Sequence, residues 1–254
     1  MSAANDLGWE PKREEAELRA YLGERFEVER LWRYQAQLDA EFAQAPDEET
    51  FYRTSTGYLY NLTAFAMTGT KLPYLRELMA LVPAGSRVLD YGCGIGSDGL
   101  LLLRAGYRVE FADFDNPSTA YLRWRLEQRG IDAPVHDLTK SVPAGFEAAF
   151  AFDVIEHVPD PFAFLGELEQ RARLVEVNFL EPEPGDQELH HELPVSALVR
   201  HAARHRLRRY VVYHGRSHLV LYDSVAAGRR ERILGALKVM GGGARHRLAR
   251  RKRA

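Results

Sequence analysis

From residue 10 to residue 82, apolar side chains recur near a helical period. Leu18, Leu22, Phe26, Val28, Leu31, Trp32 and Leu38 sit among charged neighbours, the spacing of helices that bury one stripe. The run Phe51 to Thr70 differs in texture, with Tyr and Phe interleaved among Thr and Asn; it suits a helix over a pocket and equally a core packed between helices. Leu72 to Leu81 predicts one more helix, closed by Pro83-Ala84-Gly85.

From Arg87 the pattern changes to short apolar runs separated by amphipathic segments. Strands are predicted at Arg87 to Tyr91, Arg108 to Asp113, Pro134 to His136, Ala148 to Asp153 and Leu174 to Phe179. Helices are predicted at Asp98 to Ala105, Ser118 to Arg129, Pro161 to Arg171 and Pro194 to His205. Such alternation implies an α/β fold, a doubly wound and mainly parallel sheet. Arg208 to Tyr213 and His218 to Asp223, joined by His214-Gly215-Arg216-Ser217, read as a hairpin that adds an antiparallel C-terminal strand.

A chain of 254 residues suits one large domain or a domain with a lobe. The expected division is a helical lid over residues 1–71, a main domain over 72–240 and a basic tail over 241–254. Cys93 is the single cysteine, so no disulfide forms within the chain and a reducing, cytoplasmic setting is expected. The N-terminus lacks a basic stretch followed by an apolar one, and no apolar run reaches the length of a membrane span; an unprocessed chain without a span is expected. Net charge is −2 but unevenly placed: residues 200–254 carry 16 Lys or Arg against Asp223 and Glu231. The last of these, from Ala244, follow Gly241-Gly242-Gly243, which reads as a hinge before a mobile arm.

The clearest chemical signal is VLDYGCGIGSDG, from Val88 to Gly99. It leaves a strand and opens a helix, and Gly92, Gly94 and Gly96 let backbone approach a ligand where side chains would collide. Gly94, Gly96 and Gly99 also satisfy GxGxxG, with Asp113 at the tip of the next strand, so a dinucleotide enzyme is one reading. Cys93 reads as a small packing residue rather than a nucleophile. Asp115 is placed to cap the helix beginning near Pro117, and Asp98 to sit in a first helical turn where the dipole favours acids.

Taken in order, these motifs resemble the class I S-adenosylmethionine (SAM)-dependent methyltransferases over about Leu72 to Asp223. Asp90-x-Gly92-x-Gly94-x-Gly96 resembles the family's first motif, its acid near the amino end of the methionine moiety. Asp113 in VEFADFD resembles the acid that takes the ribose hydroxyls, and Asp137 in VHDL the acid beside the adenine amine. FDVIEHVPDP, including Asp153, resembles the fourth-strand motif, and the terminal hairpin the last strands of the fold. A dehydrogenase accounts only for the glycines and Asp113. The resemblance implies a Rossmann-like, seven-stranded, mainly parallel sheet and SAM as cofactor.

Asp153, Glu156 and His157 leave the fourth strand at its carboxyl end, where doubly wound folds place their crevice. Glu181, Glu183, Asp186, His190 and His191 follow the fifth. Three readings compete for this group. His157, His190 or His191 is a general base for an acceptor hydroxyl, since imidazole titrates near neutrality. Alternatively Glu156, His157 and His190 hold a divalent metal such as Mg, Mn, Co or Zn that polarises the acceptor; Asp153-Val154-Ile155-Glu156-His157 resembles the metal segment of ubiquinone-biosynthesis O-methyltransferases and of small-RNA 2′-O-methyltransferases, with Asp153 shorter than the Glu found there. In the third reading Glu156 and His157 only stabilise the loop. Adjacent residues on an extended segment face opposite ways, so at most one of His190 and His191 reaches the site.

The roughly 70 residues before Leu72 resemble the lids of small-molecule methyltransferases. Tyr52, Tyr58, Tyr60, Asn61, Phe65 and Tyr74 are the candidate inner wall, with Tyr58, Asn61 and Tyr74 as substrate contacts. Asp160-Pro161-Phe162 lacks the pattern of enzymes that methylate a base amine. The expected activity is therefore methyl transfer to a small-molecule hydroxyl. Two readings stay beside it: an RNA ribose 2′-O-methyltransferase docked by the basic arm, and a protein that binds SAM without catalysis.

Overall fold

The computed structural model describes residues 7–181 and 190–251. It forms two compact units, one of Met1–Arg76 with Asp90–Val142, the other of Glu77–Leu89 with Pro143–Ala254. One seven-stranded sheet has the order β3-β2-β1-β4-β5-β7-β6, with β1 Arg87–Tyr91, β2 Arg108–Asp113, β3 Val135–Asp137, β4 Phe146–Ala151, β5 Ala172–Leu180, β6 His205–Tyr213 and β7 Ser217–Ala226. This is the predicted mainly parallel sheet with an antiparallel end. β2 runs parallel to β3 and β4 to β5, whereas β7 runs antiparallel to both β5 and β6.

In the first unit, the N-terminal segment folds as α1 (Pro11–Leu22), α2 (Val28–Trp32), α3 (Tyr34–Gln44), α4 (Glu48–Thr54), α5 (Gly57–Thr68) and α6 (Leu72–Met79), the last reaching past the unit's boundary. The predicted stripe does its work here. Leu18 and Leu31 pack with Leu59, Tyr60, Tyr121 and Ile95 in one buried cluster, so the glycine loop contributes Ile95 to the core of the helices. α7 (Ser97–Arg104) follows that loop, with Asp98 in its first turn, and α8 (Pro117–Gln128) follows β2. The cap of α8 is Asn116, not Asp115: Asn116 and Thr119 exchange side-chain and backbone hydrogen bonds, while Asp115 pairs with Arg123 at 2.8 Å. Asn116 sits immediately before Pro117, where a side-chain oxygen reaches the orphan N–H groups.

In the second unit, α9 (Pro161–Arg171) is capped by Asp160, which accepts from the Phe162 and Ala163 N–H groups. α10 (Val195–Arg204) leads into β6, and α11 (Arg229–Arg251) closes the described chain. Here the expected hinge is corrected: α11 runs through Gly241-Gly242-Gly243 as continuous helix. Glycine in a helix costs about 1 kcal/mol against alanine, but a Cβ at Gly242 would lie 2.6 Å from Tyr210 Cδ1. Close approach to β6 accounts for Gly242. Among the described residues no helix is long and apolar enough to cross a membrane.

Candidate functional site: a glycine cradle and a Glu-His cluster

In the first unit, β1 ends in a loop whose backbone is tied to β2. Gly92 and Cys93 N–H donate to the Ala112 carbonyl, at 2.8 and 3.2 Å. Gly94 N–H donates to Asp113 Oδ2 and Phe114 N–H to Asp113 Oδ1, both at 2.7 Å. Gly96 is the N-cap of α7 with φ 72°. A Cβ there would lie 2.4 Å from Leu122 Cδ1, so both conformation and space require glycine.

Each of the loop's acids has a distinct environment. Asp90 is buried, and its Oδ2 accepts from Gly99 N–H at 3.0 Å. Burial, then Asp98, pushes its pKa well above the ordinary carboxylate range, against Lys71 and the Gly99 N–H. Burial also pushes Asp113 up to about 6, although the Gly94 and Phe114 N–H groups oppose it. Asp113 and Asp137 are register partners on β2 and β3, which brings the two predicted nucleoside acids side by side. Asp137 accepts from Thr139 N–H at 3.0 Å, and that bond holds its pKa low. Cys93 is no nucleophile: burial, then Asp113 and Asp90, pushes the thiol well up, away from the reactive thiolate.

The sequence reading missed what supports this loop. Arg125, on α8, is fully buried. Its Nη2 donates to both carboxylate oxygens of Glu14, at 2.9 and 2.8 Å, and its Nε to Glu17 Oε2 at 2.9 Å. Its Nη1 donates to the Ile95 carbonyl and Ser97 Oγ, each at 2.9 Å, and Ser97 Oγ in turn donates to Glu14 Oε2 at 2.8 Å. One guanidinium thus ties α1 to both ends of the glycine loop's last turn. Arg129 adds two donors to Glu17, at 2.9 and 2.7 Å.

In the second unit, β4 ends in a turn that presents the Glu-His segment. Asp153 has φ 54°, a left-handed conformation that costs a non-glycine residue about 1–3 kcal/mol and clusters at functional sites. Asn178 holds it there: Asp153 N–H donates to Asn178 Oδ1 at 2.9 Å, and Asn178 Nδ2 donates back to Asp153 Oδ1 at 2.7 Å. Asn178 Nδ2 also donates to Ser217 Oγ at 3.1 Å. A short 3-10 turn, Ile155–His157, follows. Glu156 is buried, and the ligand atoms of Glu156, His157 and His190 lie within 4.8 Å of one another. The His157 and His190 rings are 4.8 Å apart, edge to face. His191 turns outward, its N–H donating to the Glu156 carbonyl at 2.7 Å. Of the adjacent histidines only His190 enters the cluster, as alternation predicts, and Asp153 is not among its ligands.

Glu181 is engaged elsewhere, accepting from His218 Nε2 at 2.8 Å when that nitrogen carries the proton. Glu183 and Asp186 lie outside the described residues. Among the aromatic candidates, Tyr58 is half-buried in a ring cluster with Phe51 and Tyr52, and Asn61 and Tyr74 are buried. Tyr60 serves the fold: its hydroxyl accepts from Glu27 N–H and donates to the Arg25 carbonyl, at 3.0 and 3.3 Å. Phe65 is exposed.

Residues 67–209 match the family described as a methyltransferase domain. Ubiquinone biosynthesis O-methyltransferases of Xylella fastidiosa and Xanthomonas axonopodis pv. citri are 32% and 31% identical over 105 residues, 39% of this chain. That stretch is 42% and 43% of those proteins, so the chain spans less than half the length of either. A solved structure of magnesium protoporphyrin IX methyltransferase from Synechocystis PCC 6803, with SAM bound, is similar in fold at 15% identity; it has a TM-score of 0.50 and covers 83% of this chain and 96% of that one. With the domain match spanning more than half of the chain, on a sheet whose order and glycine loop agree with it, the protein belongs to the class I SAM-dependent methyltransferases.

Proposed function

We propose that the protein methylates a hydroxyl group of a small-molecule acceptor. The observation that carries this reading is the convergence of Glu156, His157 and His190 after β4, a donor set suited to activating a hydroxyl. The similarity to O-methyltransferases of ubiquinone biosynthesis supports oxygen as the methyl acceptor.

The residues of the first unit fit SAM. The left-handed turn at Gly96, packed against Leu122, lets the loop present bare backbone, and Asp113 and Asp137 stand in register as two carboxylates for ribose hydroxyls and an adenine amine. Asp90, Gly92 and Gly94 border the methionine end, with Asp153 a further contact. Bound SAM supplies an electrophilic methyl group. The residues 1–71 act as the covering lid of the SAM-binding domain at 72–240, with Tyr58, Asn61 and Tyr74 orienting the acceptor; holding it in line supplies much of the rate.

Two imidazoles and a carboxylate also fit a divalent ion, whose chemistry there would be to lower the pKa of a coordinated hydroxyl. Glu156, His157 and His190 would hold it. Without an ion, an imidazole nitrogen of His157 or His190 takes the acceptor's proton. His191, whose backbone N–H is tied to Glu156, keeps the loop in place.

The test is transfer of tritiated methyl from SAM to a panel of small phenols and alcohols, amines and RNA, with EDTA and with each metal restored. His190→Ala is expected to lower turnover by about 100-fold or more with SAM affinity unchanged by calorimetry. Unchanged turnover removes His190 from the chemistry. Transfer to RNA alone moves the acceptor to a ribose hydroxyl, and indifference to EDTA assigns the cluster to proton transfer.

A further inference from the structure

Glu169, His201 and His205 converge in the second unit, their ligand atoms within 4.8 Å of one another. They share no residue with the Glu156 group. α9 carries Glu169 close to the start of β5, and α10 carries His201 close to the start of β6, which His205 begins. β5 and β6 are both antiparallel to β7 and so run the same way. The cluster therefore lies at the strands' amino ends, whereas Glu156 and His157 follow the carboxyl end of β4.

Local chemistry arranges the trio. His201 and His205 are four residues apart across the end of α10, so their rings fall on one face, with centroids 5.0 Å apart. His201 Nε2 is 2.7 Å and His205 Nδ1 4.0 Å from Glu169 Oε1. Tyr222 donates to the same Oε1 at 2.8 Å. These contacts fix Glu169 Oε1 beside the two imidazoles. All three side chains are partly exposed, with relative accessibilities of 16% for Glu169 and His205 and 23% for His201, leaving a path for an ion.

We propose that Glu169, His201 and His205 form a transition-metal site, of the class that takes Zn²⁺. Two imidazoles and one carboxylate favour Zn²⁺, Co²⁺, Ni²⁺ or Cu²⁺ over Mg²⁺ and Ca²⁺. Ligand atoms about 2.0–2.2 Å from a tetrahedral ion lie roughly 3.3–3.6 Å apart, so closing the widest separation takes a side-chain movement of little more than about an ångström. Tyr222 is the outer-shell donor that orients the carboxylate. Water completes the coordination, and the ion cross-links α9, α10 and β6. Its role is structural, and it raises the melting temperature by binding only the native state.

The experiment uses the full chain carrying His157→Ala and His190→Ala, which removes the other donor group, titrated with Zn²⁺ by calorimetry and with Co²⁺ by visible absorption. One saturating equivalent is expected, with a cobalt d–d band. His201→Ala or His205→Ala should abolish the band, and Tyr222→Phe should weaken binding about 10–100-fold. Absence of saturable binding, or binding indifferent to His201→Ala and His205→Ala, overturns the site. As a check free of variants, anomalous scattering at the zinc edge from crystals of the unaltered protein should show a peak between Glu169 and the two imidazoles. Zinc found only elsewhere overturns the proposal.

Discussion

Arg125 offers the sharpest test of how the glycine loop is held. Replacing it by Met removes every donor to Glu14 except Ser97 Oγ and leaves that carboxylate buried, at 8% residue exposure. Breaking a buried ion pair from one side costs about 3–5 kcal/mol. At roughly 2–4 °C per kcal/mol for a chain of this size, Arg125→Met should melt about 6–20 °C lower. The companion Glu14→Leu/Arg125→Met removes both charges while Glu17 keeps Arg129 and Arg13; replacing a whole buried pair with apolar groups is often neutral, so more than half of the loss should return. Urea unfolding followed by circular dichroism gives both values, and an unchanged m-value licenses the comparison. SAM affinity should fall in both variants, because the Ile95 carbonyl and Ser97 lose the same guanidinium. A single variant within about 1 kcal/mol of the parent, or a double variant no more stable than the single, would refute the reasoning.

Three further outcomes follow from the same geometry. With Asp113 pushed up to about 6, the carboxylate proposed for the ribose hydroxyls protonates as pH falls through that value, so SAM affinity measured by calorimetry should drop roughly tenfold per pH unit below it and lose this dependence in Asp113→Asn. Glu176, fully buried on β5, has no hydrogen-bond partner for either oxygen among the described residues, and burial, with Glu77, raises its pKa well up. A raised folded pKa means stability that is full below the unfolded value and lost as pH rises towards the folded one; Glu176→Leu should therefore stabilise by about 1–3 kcal/mol near neutrality, with the gain shrinking in acid. Gly96→Ala meets both a left-handed φ of 72° and Leu122; it should cost at least about 1–2 kcal/mol and abolish measurable SAM binding, whereas retained affinity would show that the loop relaxes freely.

What the sequence revealed was what depends on neighbours in sequence. The apolar runs of β1, β2, β4 and β5 were visible because strands buried on both faces need them, and the loop from Gly92 to Gly96 was visible because backbone conformation dictates residue type. Asp113 and Asp137 were singled out by the motifs around them, and the register of β2 and β3 sets them side by side. Arg125 was not: it falls on the buried face of α8 with Tyr121 and Leu122, but what a cation does there depends on Glu14, 111 residues away. Asn178 was hidden for the same reason: its bond to Asp153 spans 25 residues. Glu169 with His201 escaped because their encounter depends on how α9 and α10 return to the sheet. The three glycines of α11 misled by composition, which reports flexibility but not the Tyr210 ring that Gly242 accommodates.

The reach of Arg125 also sets an order of events on the ribosome. At roughly 5–20 residues per second, the 111 residues from Glu14 to Arg125 take about 6–22 s to synthesise. Through that interval the acids of α1 have no guanidinium from α8, and loop-closure entropy opposes any early partner so distant. The Glu14 and Glu17 carboxylates must therefore stay solvated until α8 emerges. A fragment cut before α8 would keep the sequence of the amino-terminal helices and lose the cation that pairs with Glu14.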